Sequence, residues 1–316
     1  MSNTSNHKRI HFDTDLGSDT DDLCALAMLL GWEGCELAGI TTSTDPGGIR
    51  AGYTEYALQL TGRSDVSVRA GAEGSLGGLC VPLQFPDYWP EPIEPRPSRA
   101  GEALELLEAN AEAGVTIVAV GPYTNLAMLE SARPGLLASC QVVVMGGHVT
   151  MPRRGLPQWG VHDDFNVQQD RLAASIVFER CRPVVVPLAV TLEVCLRGRH
   201  LDRLRDTGPL GRLLVDQAER HARDNGRTEL GKDWPLLPDD LLNFHYDPLA
   251  CAVALGWDGV TIEDIATKLE LRADRLWMSI HPGCPTLPVA TGVDGARFEE
   301  EWLLAVERVP RTPFVR

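Results

Sequence analysis

The sequence predicts an α/β fold: an open, mostly parallel sheet with helices on both faces and an antiparallel C-terminal addition, in one domain over residues 1–316. Three observations carry this. Almost wholly apolar runs at 115–120, 141–145 and 182–190 have the continuous hydrophobicity of strands buried on both faces. Helical segments at 98–113 and 169–180 precede the first and last of these runs, and strands alternating with helices specify a parallel sheet. Strand-like runs at 267–272, 276–280 and 289–291 then break the alternation before a closing helix at 296–306.

In chain order, a strand at 9–12 runs into Asp13, Asp15, Asp19, Asp21 and Asp22, five carboxylates within ten residues. The Ala-, Leu- and Met-rich segment 23–30 that follows is a helix by composition. A second strand, 35–43, ends in Thr44-Asp45-Pro46-Gly47-Gly48, which punctuates it before a helix at 49–60 and a short strand at 66–69. Residues 71–97 carry six prolines and no periodicity, which predicts a functional lid or a disordered excursion. Ser98 caps the next helix. The strand at 115–120 turns at Gly121-Pro122-Tyr123-Thr124-Asn125 into another helix. Residues 148–166 form a polar loop containing Trp159, His162, Asp163, Asp164 and Asn166; after a helix at 210–223 a second polar loop, 225–240, contains Trp234. Tyr246-Asp247-Pro248 opens an apolar helix at 249–255, with the proline in its first turn.

Composition narrows the partners. With 29 Lys plus Arg against 44 Asp plus Glu the net charge is −15, which argues against nucleic acid or an anionic membrane and for a small neutral or cationic ligand. The polar N-terminus is no secretory signal, and the longest apolar run, 23–30, is too short to span a bilayer, so a cytoplasmic location is expected. Eight cysteines, Cys80 among them, never form a Cys-x-x-Cys pair and are expected as reduced thiols.

Parallel strands end on one side of a sheet, so the acidic corner and the polar loops converge there, where open sheets bind ligands. Five crowded carboxylates repel one another unless a cation sits among them. An all-oxygen donor set favours Ca²⁺ or Mg²⁺. Helix capping by Asp21 or Asp22 would account for one or two of the five. An EF-hand fails, because the twelfth residue is Cys24 or Leu26 where a glutamate is required. A Mg²⁺ phosphohydrolase with Asp13 as nucleophile would need a lysine at a later strand end, and Lys8, Lys232 and Lys268 are no candidates. The glycines at 71–78 do not sit between a strand and a helix start as a dinucleotide loop requires. His162 and His245 lie near acidic residues as candidate general acids, and Trp89, Trp159 and Trp234 are candidates to stack on a planar ring.

Taken in order, Asp13-Thr14-Asp15, Gly17, Asp21-Asp22, Ile40-Thr41-Thr42, Val120-Gly121, Thr124-Asn125, Val144-Met145-Gly146-Gly147, Asp164-Phe165-Asn166 and Asp247-Pro248 resemble the inosine-uridine-preferring nucleoside hydrolases. The resemblance implies Ca²⁺-dependent hydrolysis of the N-glycosidic bond of a riboside, in purine or pyrimidine salvage, by a family in which homo-oligomers are common. It implies Asp15 as metal ligand and as the base activating the attacking water, with Asp22, the Val120 carbonyl and Asp247 as further ligands. Asp21, Asp164 and Asn166 would hold ribose hydroxyls, with Met145 near the sugar. Trp159, Trp234 and His245 would meet the base. Departures are two extra residues in the acidic motif, which add Asp19; Ser43 and Asp45 where an asparagine is usual; Asp164 for glutamate; Gln158 for asparagine; and Tyr246 at the usual histidine, with His245 one place earlier. A riboside-binding protein without catalysis is the rival from another class.

Overall fold

The computed structural model describes residues 7–77, 83 and 85–310, so Cys80 and part of the proline-rich segment lie outside the described residues. The first half of the chain comprises β1 (Lys8–Thr14), α1 (Asp21–Gly31), β2 (Cys35–Thr42), α2 (Ile49–Gln59), β3 (Val68–Ala70), α3 (Glu102–Glu112), β4 (Thr116–Ala119), α4 (Thr124–Ala132) and β5 (Val142–Met145). The helices α5 (Phe165–Gln169) and α6 (Arg171–Ile176) lead to β6 (Val184–Val186), α7 (Leu188–Thr191), β7 (Cys195–Arg197), α8 (Leu201–Arg205), α9 (Pro209–Asp224) and α10 (Arg227–Asp233). The chain continues through β8 (Leu241–Phe244), α11 (Tyr246–Leu255), β9 (Val260–Arg272), β10 (Arg275–Ile280), β11 (Thr286–Val293) and α12 (Gly295–Glu307).

Nine strands form one sheet in the order β10-β9-β11-β6-β5-β4-β1-β2-β3. From β3 to β11 every neighbouring pair is parallel, and only β9 is antiparallel to its neighbours β11 and β10. The chain lays β2 and β3 to one side of β1, then returns to place β4 on the other. That reversal opens a crevice at the carboxyl ends of β1 and β4. All four residues of β4 and of β5 are buried, as strands covered on both faces must be. One apolar cluster packs α1, α11 and α12 on one face, and a second packs α3, α4 and α6 on the other. Trp302 of α12 is fully buried and its indole N–H donates to the Cys24 carbonyl of α1.

Several elements differ from the sequence expectation. The strand expected to 190 ends at Val186, because Pro187 has no N–H to donate and α7 follows it. The helix expected over 169–180 is interrupted at Asp170, whose carboxylate caps α6. The expected loop 225–240 contains α10, and the two-stranded sheet β7-β8 had no sequence counterpart. The described part of the proline-rich segment is a packed strap. Trp89 stacks on Tyr53 at 4.3 Å and 4°, and the Tyr88 hydroxyl donates to Asp224 at 2.9 Å. Among the described residues no helix is long and apolar enough to cross a membrane.

Candidate active site

The crevice is a cleft of about 440 Å³. Its floor comes from the strand ends: Asp15 follows β1, Val120 follows β4, and Met145 ends β5. Asp21 and Asp22 occupy the first turn of α1, with Thr20 as N-cap, and Asp247 the first turn of α11. A helix N-terminus complements acidic side chains, so three carboxylates are carried inward by two helix starts. One oxygen each from Asp21, Asp22 and Asp247 lies within 4.8 Å of the others, and all three residues are buried. Asp15 lines the same cleft outside that trio, its carboxylate 3.7 Å from the guanidinium of the fully buried Arg50.

Burial holds Asp21, Asp22 and Asp247 well above the usual carboxylate range, and neighbouring carboxylates push them further. Burial raises Asp15 too, against the pull of Arg50. The protein thus gathers oxygen donors, and among the described residues none of the trio is in an ion pair, with only the pull of Arg50 on Asp22 opposing the repulsion. That donor set fits a hard divalent ion. Asp13 is different: its carboxylate turns away from the cleft, accepts from the Thr41 hydroxyl and from the Asn125 amide at 2.7 Å, and is pushed up to about 7 by burial. A buried carboxylate so engaged, absent from the cleft lining, removes the phosphohydrolase alternative.

The opposite side of the cleft is built by the loop before α5. Asp164 is the N-cap of α5, accepting from Val167 N, and its other oxygen accepts from Gly147 N at 2.7 Å. Burial pushes it up to about 6. The Asn166 amide donates to the carbonyls of Val120 at 2.5 Å and Met145 at 3.2 Å, which ties α5 to the ends of β4 and β5. Gly146 has φ +131°, and a Cβ there would lie 2.5 Å from the Tyr123 hydroxyl. Gly121 admits no side chain either, since its Cβ would lie 2.8 Å from Asp15 Oδ1 and 2.9 Å from Asp15 N. Gly121→Ala is therefore expected to displace Asp15 and to lower the melting temperature, as thermal unfolding would measure.

Of the residues expected from the sequence, Asp15, Asp21, Asp22, Val120, Met145, Trp159, Asp164, Asn166 and Asp247 all line this cleft. His245 and Trp234 do not. His245 is fully buried, its ring 4.2 Å from that of Trp302 and 5.8 Å from that of Phe298, so it faces α12 instead of the cleft. Trp234 packs against the apolar core beyond α10, and Trp89 is a core plug on Tyr53. His162 is exposed and accepts from Arg275. Tyr246, Arg227, Phe165, Asp163, Leu188, Ser18 and Asp19 complete the lining. Asp19 accepts from the Asn243 amide at 2.6 Å, a contact that gives the extra residues of the acidic motif an anchor on β8. The guanidinium of Arg227 lies 5.8 Å from the rings of both Trp159 and Phe244, and no sequence signal marked it.

A family model described as inosine-uridine preferring nucleoside hydrolase matches residues 10–300. The pyrimidine-specific ribonucleoside hydrolase RihA of Citrobacter koseri is 32% identical over 224 residues, covering 65% of this chain and 68% of its own. The same-named protein of Salmonella paratyphi C is 30% identical over 231 residues, covering 66% and 69%. Among solved structures, the purine-preferring ribonucleoside hydrolase of Gardnerella vaginalis superposes with TM-score 0.77 at 23% identity over 96% of this chain and 99% of that one. A plant nucleoside hydrolase gives 0.76 at 21% over 97% and 100%. With the acidic strand-end cleft these matches share one conclusion: the chain belongs to the inosine-uridine preferring nucleoside hydrolase family, N-glycosyl hydrolases of ribonucleosides.

Proposed function

We propose that the protein is a Ca²⁺-dependent ribonucleoside hydrolase of cytoplasmic purine or pyrimidine salvage, and that Asp15 is its general base. The observation that carries this is the buried trio Asp21, Asp22 and Asp247, in no ion pair among the described residues, beside a fourth carboxylate, Asp15, in one cleft. Asp22, Asp247, Asp15 and the Val120 carbonyl would hold the ion, and Asp21 sits close enough to serve the ion or a sugar hydroxyl. When bound, such an ion supplies Lewis acidity toward water and a template for a vicinal diol. Asp15 takes the proton of the attacking water, and Arg50 behind it keeps its carboxylate oriented. Asp21, Asp164 and Asn166 grip the ribose hydroxyls, and carboxylates around the ring favour positive charge developing on the sugar. Trp159 offers a planar face to the base.

Release of free ribose from a panel of purine and pyrimidine nucleosides, with Ca²⁺ and with chelator, tests the proposal. Ribose formed only with the ion supports it; tight nucleoside binding without ribose would move the protein to the non-catalytic class. The charged form of Asp164 is the one that accepts from Gly147 and Val167 and would accept from a sugar hydroxyl. It is lost as pH falls through about 6. An acid limb near that pH in the kcat/KM profile is expected, and Asp164→Asn is expected to remove the contribution of Asp164 to it, leaving that of Asp15, while lowering the plateau.

A further inference from the structure

We propose that Arg227 stabilises the departing base as its anion, an inference that rests on the riboside hydrolysis proposed above. Of the described residues lining the cleft, seven are aspartates (15, 19, 21, 22, 163, 164 and 247) and Arg227 alone is a cation. Its position is set by packing: the guanidinium lies 5.8 Å from the ring of Trp159 and 5.8 Å from that of Phe244, and Trp159 itself meets Phe244 edge-on at 5.5 Å. Its Nε is buried with no hydrogen-bond partner among the described residues. A buried donor left unmade costs on the order of 1–3 kcal/mol, so a partner supplied by a ligand would relieve it. Among the described residues no imidazole lines the cleft, since His245 is packed against Trp302 and His162 is exposed on the surface.

The chemistry asks for such a group. Cleavage breaks the bond between C1′ and the glycosidic nitrogen, and the electron pair stays on nitrogen and spreads onto a conjugated carbonyl oxygen or ring nitrogen of the base. Water oxygen bonds to C1′ and its proton passes to Asp15. The base anion later takes a proton from solvent, as the one on Asp15 is released to it. A guanidinium offers only N–H donors in a fixed fork, so Arg227 serves the anion as a hydrogen-bond donor. The aglycone it fits is a planar ring that stacks on Trp159 and turns an acceptor atom toward the guanidinium.

The test compares leaving groups. Uridine and inosine depart as poorly stabilised anions, whereas 4-nitrophenyl β-D-ribofuranoside releases a nitrophenolate that is already stable near neutral pH. In Arg227→Met the ratio of kcat/KM for the nucleosides to that for the nitrophenyl riboside is expected to fall about 100-fold. Arg227→Lys, which keeps the charge, is expected to recover part of it. Hydrolysis of the nitrophenyl riboside shows that each variant is folded with its acidic floor intact. A ratio that stays at the wild-type value in both variants overturns the role of Arg227. Failure of the wild type on every riboside would instead overturn the hydrolase proposal beneath it.

Discussion

Asp15→Asn, assayed at saturating nucleoside and saturating Ca²⁺, is expected to lower kcat on the order of 10³-fold, within the range of a lost general base. Asparagine is isosteric but has no basic oxygen to take a proton. Two effects on stability oppose each other. The substitution relieves repulsion against Asp19 and Asp22, and it weakens the pairing with buried Arg50. Melting temperature is therefore expected to move much less than activity, so that the lost turnover reports chemistry. The ribose contacts proposed for Asp164 and Asn166 survive the change, and KM is expected to stay within an order of magnitude. A variant retaining a tenth or more of wild-type kcat would exclude Asp15 as the base.

The second large effect concerns the ion. Ca²⁺ at one hundred times its dissociation constant is expected to stabilise the folded chain by about 2.7 kcal/mol, read as a rise in Tm. Asp22→Asn is expected to abolish most of that rise. In the ion-free protein the same variant is expected to melt above the wild type, because it removes a carboxylate that burial and the charge of Asp15 already disfavour. The Thr14 hydroxyl can still donate to the oxygen of the new amide. A wild-type Tm indifferent to Ca²⁺, or an ion-free variant less stable than wild type, would show that repulsion among these groups is not what the ion relieves.

Much of the floor was legible because it is local in sequence: Asp13 to Asp22 joins a strand to a helix, and the two elements fix where those carboxylates arrive. Strand ends such as Val120 and Met145 were legible for the same reason, since continuous apolar runs mark the strands and parallel topology brings their ends together. Orientation was not legible. Sequence put His245 beside Asp247, but one residue at the entry of α11 turns a side chain to another face, and His245 meets Trp302 while Tyr246 meets the cleft. Arg227 escaped because the short helix it opens follows Gly226 and is polar, so no apolar period announced it. The pair β7-β8 escaped because its partners stand far apart along the chain.

The cleft has two independent builders. Carboxylates at the ends of β1 and at the starts of α1 and α11 make one side, and Trp159 with Arg227, from the loop before α5 and the start of α10, makes another. On the roles proposed above, substitutions at Arg227 and Trp159 would redraw which base is admitted and leave the acidic framework in place, because the two sides are carried by different segments of the chain.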